Sequence, residues 1–159
     1  MIEWISVNKK SIDSFLRYLL SYLLSFVTVA VGFLNLIVAR DLILVTLAFT
    51  PLNHWATGAI DKFAILLLGL TLLVFLILSE EYYRKGVPLG RLWERFSLVT
   101  AFQLFFLGFV HIIIPLAAKP TGLGLVDFLL AGGEAGIGYL LLMFALYSRK
   151  RNHPEKNKV

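Results

Sequence analysis

Few residues in this chain could do chemistry, and the most unusual is a carboxyl in an apolar setting. Glu134 stands in the stretch AGGEAGIG, between LVDFLL and YLLLMFALY. Asp127 lies seven residues earlier, which puts it on the same face of a helix. In the preceding apolar run, Thr100, Gln103, Leu107 and His111 share one helical face. A charged carboxylate inside a membrane costs at least about 2.5–3.5 kcal/mol, so it is normally protonated, paired or turned to water. Three uses follow. Glu134 can be a neutral structural group bonded to His111, to Gln103 or to a hydroxyl of the first span. Glu134, His111 and Asp127 can form a proton or ion relay that opens outward. Or the small residues around Glu134 can leave room for a small molecule or lipid between helices.

The histidines raise a redox alternative. His54, His111 and His153 are the three in the chain. Histidine is a common axial ligand of haem, and His54 with His111 is the pair that a haem b or quinone-binding anchor would use. A loop histidine with a helix histidine is a weak pattern, and no cofactor and no metal are predicted. There is no cysteine. That removes disulfides, thiolate metal sites, Fe–S clusters and thiol catalysis. H-E-x-x-H, G-x-S-x-G and Walker patterns are missing too. TGLGLVD follows a predicted transmembrane helix and lacks the strand that a phosphate loop needs. An enzyme is therefore not the expectation.

The elements that must position these groups are plain. Hydrophobic residues make up 58% of the 159, charged residues 16%, and mean hydropathy is +0.81. Four runs, at about 15–39, 60–78, 96–117 and 125–147, are each near the roughly 20 residues that cross a bilayer core as helix. Backbone amides in lipid must bond internally, so the runs are predicted helices, and no alternating β-barrel segments are visible. The expected fold is all-α, an integral membrane four-helix up-down bundle in one domain over 1–159, with a basic cytoplasmic tail at 148–159. The first run reads as an uncleaved anchor. The segment before it should lie at the interface, anchored by Trp4. After Arg40 the apolar DLILVTLAFT is too short to cross and reads as interfacial or re-entrant, ended by Pro51. AKPTGLG should be a tight external turn, making spans 3 and 4 antiparallel neighbours. Glu134, the tenth residue of its span, would then lie about 13–14 Å below the outer boundary and His111 about 9 Å. A His111–Glu134 hydrogen bond or ion pair is the sharpest structural expectation.

Charge sets the orientation. With the N-terminus inside, twelve of the fifteen basic residues fall on the cytoplasmic side and only Arg40, Lys62 and Lys119 outside. The positive-inside rule thus places both termini in the cytoplasm of a cell (inner or plasma) membrane. The net charge of +5 and the pI near 9.6 follow from that asymmetry and do not call for nucleic acid. The expected partners are membrane lipids and a homo-oligomer or larger membrane complex. The tail RKRNHPEKNK could hold anionic headgroups at about 1 kcal/mol per basic residue, although a topology determinant is the simpler reading.

Small residues mark the packing faces. Ser14, Ser21, Thr28 and Asn35 are seven apart, and Tyr18, Ser25, Gly32 and Ala39 fill the four-residue offsets. Such seams let membrane helices approach closely and bond across. In span 4, Gly132 and Gly136 form a G-x-x-x-G, with Ala131 and Ala135 beside them. This face could meet span 1 or the same span of a neighbouring copy. Span 2, FAILLLGLTLLVFLIL, is the best candidate for the lipid-facing helix.

The order LVTLAFTP, IDKFAILLLGLTLLVFLI and EEYYRKGVPLGRLWERFSLV resembles the phosphate-starvation-inducible E family of small four-span bacterial membrane proteins, and the basic end after span 4 also fits. The likeness covers about two thirds of the chain. The third span, FQLFFLGFVHII, lacks the arginine that family would place there, and AGGEAGIG has no counterpart. The resemblance implies no reaction, only a bacterial inner-membrane protein with a link to stress.

Overall fold

A computed structural model describes residues 2–118 and 124–152, with side chains from 15 to 118 and from 124 to 151. The side chains of Trp4 and Ser14, residues 119–123 with Lys119, and residues from His153 onward lie outside the described residues. The chain forms four helices: α1 (Ile2–Ala48), α2 (His54–Arg84), α3 (Leu92–Ala118) and α4 (Leu125–Asn152). Each is long and apolar enough to cross a membrane. The protein is all-helical, as the apolar runs require.

α1 departs from the expected outline. It is one helix of 47 residues, so DLILVTLA continues it and is not re-entrant. No glycine or proline stands between Gly32 and Pro51, and nothing else interrupts the ladder. The helix stops where Pro51 restricts the residue before it. Asn53 then caps α2, its side chain accepting from Ala56 N at 2.7 Å. The α2–α3 connection is held tightly. Gly90 has φ 66°, a left-handed turn position that suits glycine, and Arg91 N donates to Gly86 O at 3.0 Å. Val87 and Leu92 of this stretch join Leu24 and Tyr83 in a small buried cluster, with Leu20, Phe96 and Val99 around it.

α1, α2 and α3 form a trio, and α4 attaches to it through α3 alone; among the described residues α4 contacts neither α1 nor α2. The small-residue seam of α1 is the trio's inner face. Ser21, Ser25, Thr28 and Gly32 are buried, and Asn35 and Ala39 half-buried, while Tyr18 is exposed. A Cβ added to Gly32 would lie 2.7 Å from Leu72 Cδ1 of α2. α2 buries only Ala64, Ser79 and Tyr83, in keeping with a largely lipid-facing helix.

The α4 face is only partly the expected one. Gly132 and Gly136 face open space, and α4 does not pack on α1. Ala131 and Ala135 do pack: a Cβ on Gly108 of α3 would lie 3.1 Å from Ala131 O and 3.5 Å from Ala135 N. Gly138 meets Ala101 O in the same way at 3.3 Å, and Ala145 is 1% exposed. Ala131, Gly138 and Ala145 are seven apart, as are Ala101 and Gly108 opposite them. A seam continued over two heptads buries more than a single G-x-x-x-G turn, which is why this face wins. Gly138→Leu is therefore expected to lower the unfolding free energy in detergent by about 1–3 kcal/mol through overpacking. Gly132→Leu should leave the monomer's stability unchanged. The two variants compared by denaturant titration check this.

Candidate functional site

His111 and Glu134 meet as the depth argument expects. His111 sits in α3 and Glu134 in α4, and Gly108, one turn before His111, lets the two backbones come close. A Cβ at position 108 would be 3.6 Å from Glu134 Cβ. His111 Nδ1 lies 2.7 Å from Glu134 Oε2. Pro115, four residues after His111, lies inside α3 and is buried. Proline has no N–H, so the His111 carbonyl loses its usual i+4 donor in the same turn. The side chains of His111 and Glu134 are 32% and 21% exposed. The exposure follows from the architecture: α4 has α3 on one side and no third helix over the pair. One oxygen and one ring nitrogen satisfy each other, and the arrangement can fix helix register or hold and pass a proton.

The other expected members stand elsewhere. Gln103 is buried on the α1 side of α3, where Nε2 donates to Thr28 O at 3.1 Å. Asp127 Oδ2 accepts from Gly124 N at 3.0 Å and so closes the first turn of α4. Its seven-residue offset from Glu134 is about 10 Å along the helix. A contiguous relay of Asp127, Glu134 and His111 is not formed by direct bonds. His54 is exposed at the first residue of α2, while His111 belongs to the α3–α4 pair and has Nδ1 engaged by Glu134. Among the described residues no group of three or more His, Asp or Glu gathers as a metal site would need.

Several pairings were hidden in the sequence. Arg40 makes a two-point contact with Asp61, with Nε to Oδ1 and Nη2 to Oδ2 both 2.9 Å. The signal was their near-equal distance on either side of Pro51. Arg91 grips Glu94 by Nε at 2.8 Å and Nη2 at 2.6 Å, and Glu94 is 7% exposed. This hydrogen-bonded carboxylate holds the Arg91 guanidinium above its ordinary range. Arg95 donates to Tyr82 O and stands 4.6 Å over the Tyr82 ring. Tyr83 is fully buried with its hydroxyl 2.8 Å from Thr28 Oγ1. Ser79 one turn earlier, also buried, was the available hint.

The His111–Glu134 pair lends itself to a double-mutant cycle. His111→Leu and Glu134→Leu should each destabilise the protein, and the double variant should lose less than their sum. The expected coupling is about 0.6–1.7 kcal/mol, the range for hydrogen bonds between membrane helices. Unfolding in mixed micelles measures it, and a coupling of zero would remove the pair from the list of register-setting contacts. Compared with models of known protein families, with curated proteins and with solved structures, the chain matches none.

Proposed function

We propose that this chain is a non-enzymatic, multi-pass inner-membrane protein that works by assembling with a second copy of itself or within a larger membrane complex. The observation that carries the reading is the position of α4. It rests on one helix only, its Gly132 and Gly136 face is open, and the half-exposed His111–Glu134 pair lies at its edge. α4 therefore offers two surfaces to neighbouring helices: the open glycines, which admit a close approach, and the opposite side with the polar pair, whose exposure to hydrocarbon is unfavourable. The likeness of the span 2–3 stretch to the phosphate-starvation-inducible E family adds a stress link to the proposal.

In this reading the helices alternate up and down with both termini in the cytoplasm. The pairings Arg40 with Asp61 and Leu20 and Leu24 with Val87 and Leu92 support the alternation, and the distribution of basic residues supports the cytoplasmic termini. They also favour a membrane-embedded part of α1 that begins after Leu24, later than the apolar run alone suggests. Residues 2–24 of α1 would then project about 34 Å from the cytoplasmic face. Basic residues on that face would touch lipid headgroups.

A proton or ion pathway through Glu134, His111 and Asp127 is the second reading, and the exposure of the first two favours it. Two measurements separate the readings. The chain has no cysteine, so Leu52→Cys and Lys85→Cys each carry one thiol. An impermeant maleimide should label Leu52→Cys in whole cells and Lys85→Cys only after permeabilisation; the reverse would overturn the orientation. For assembly, Gly132→Leu should shift the protein in lipid from oligomer to monomer by at least tenfold in association, read by cross-linking. Unchanged association, together with proton flux in liposomes lost in Glu134→Gln, would replace assembly by transport.

A further inference from the structure

Two polar groups of α4 stand in the hydrocarbon region with bonding capacity left over, and they lie on opposite sides of the helix. The first is the outer edge of the His111–Glu134 pair. His111 Nδ1 and Glu134 Oε2 engage each other, and among the described residues nothing bonds His111 Nε2 or Glu134 Oε1. The unpartnered atoms sealed inside the bundle belong to Ser25, Asn35, Thr100 and Gln103, so these two are open to a neighbour. The second group is the Tyr139 hydroxyl. Tyr139 is 55% exposed, and among the described residues no hydrogen bond reaches it. It stands eight residues, about 12 Å, inside Tyr147. Gly132, Gly136 and Tyr139 follow the i, i+4, i+7 spacing, so this phenol belongs to the open glycine face.

What the pair needs from outside follows from its protons. A net charge at this depth is costly, so the pair is neutral as a unit. One proton then lies between Nδ1 and Oε2. With that proton on Oε2, Nδ1 accepts and the ring hydrogen is on Nε2; with it on Nδ1, both ring nitrogens carry hydrogen. Either way the pair presents one donor, Nε2–H, and one acceptor, Oε1. A single hydroxyl accepts from the first and donates to the second. Tyr139 carries one, but on the far side of its own helix. The Tyr139 of a neighbouring copy is free of that constraint.

We infer that copies of this chain pack side by side with the Gly132–Gly136–Tyr139 face of one on the His111–Glu134 flank of the next. The Tyr139 hydroxyl donates to Glu134 Oε1 and accepts from His111 Nε2 of its neighbour. This contact rests on the assembly reading above. All copies cross the membrane in the same sense, so depths compare directly. Tyr139 lies five residues, about 7.5 Å, on the cytoplasmic side of Glu134. A tyrosine on a helix leans toward the helix N-terminus, which is the outer side for α4. Membrane helices tilt by about 20°, which sets the opposite faces of a helix about 10–12 Å wide about 4 Å apart in depth. Lean and tilt together cover the offset. Gly133, beside Glu134, faces open space and leaves room for the ring. Because the two surfaces differ, each copy gives one surface to each neighbour, and the assembly is a ring or a row.

The test uses the full chain in phospholipid vesicles. Met143 continues the glycine face and Phe144 the flank of Glu134; both are exposed and they are neighbours in depth. Met143→Cys and Phe144→Cys each carry the only thiol of their chain. Oxidised with copper phenanthroline, a mixture of the two should give a disulfide-linked dimer, and either alone should not. Tyr139→Phe removes one oxygen from an exposed side chain and leaves the fold intact. It should weaken association about three- to fifteenfold, the range for one hydrogen bond between membrane helices, read by energy transfer between dye-labelled copies. Glu134→Leu added to Tyr139→Phe should lower association little further. Association that Tyr139→Phe leaves unchanged overturns the proposal. So does a dimer linked through 143 alone or 144 alone, or energy transfer with no linked product, and the assembly reading survives all three. Absence of energy transfer in the unaltered protein overturns the proposal and self-assembly with it.

Discussion

Thr28 ties three helices together. Its hydroxyl meets Tyr83 OH of α2 and donates to Leu24 O in its own helix, while its backbone carbonyl accepts from Gln103 of α3. In a bilayer no water competes for these groups, so each must find its partner in protein. That requirement sets the trio. Tyr83 can reach Thr28 only if the end of α2 lies against the middle of α1. Gln103 can reach the Thr28 carbonyl only if α3 shares the same groove. Gly32, one turn on, admits Leu72 at close range and keeps Gln103 beside it. The cluster of Leu24, Tyr83, Val87 and Leu92 then closes the end of the trio.

α4 obeys a different rule. It is joined to the trio by α3, and at Gly108 and Gly138 the contact brings backbone against small residues. Such contacts gain from close packing but give little direction along the helix axis, since one small residue fits a groove much like another. The His111–Glu134 bond supplies the missing direction. Polar pairs of this kind are modest in energy and specific in geometry, which suits a register device. The Arg40–Asp61 pair does similar work between α1 and α2, with two-point geometry.

Much of this was legible in the residues. Four spans follow from run length and from the demand for internal backbone bonding. The Ser21–Ser25–Thr28–Gly32 face was legible because small and hydroxyl residues at heptad spacing have few other uses in lipid. His111 and Glu134 could be matched because so short a stretch between two apolar runs limits the relative depth of the helices they form. What escaped was the choice between competing surfaces. α4 carries two small-residue faces, and nothing within α4 tells which one α3 takes. The answer lies in Ala101 and Gly108 of the other helix. Gln103 escaped for a similar reason: its helical face was right to within a quarter turn, and the carbonyl that captured it belongs to α1. The unbroken length of α1 was masked by a hydropathy pattern that invites division, although the lack of glycine and proline after Gly32 spoke against it.

That unbroken length has a mechanical meaning. Forty-seven residues without a break make a rod about 70 Å long. A rod with no hinge cannot absorb a disturbance at one end; it turns as a whole. A tilt of about ten degrees at the Thr28 fulcrum separates the positions of its two ends by about 12 Å relative to the untilted axis. Changes in bilayer thickness tilt membrane helices by amounts of this order. A first helix tilted in this way would act as a pointer, converting small shifts inside the membrane into large displacements at its tip.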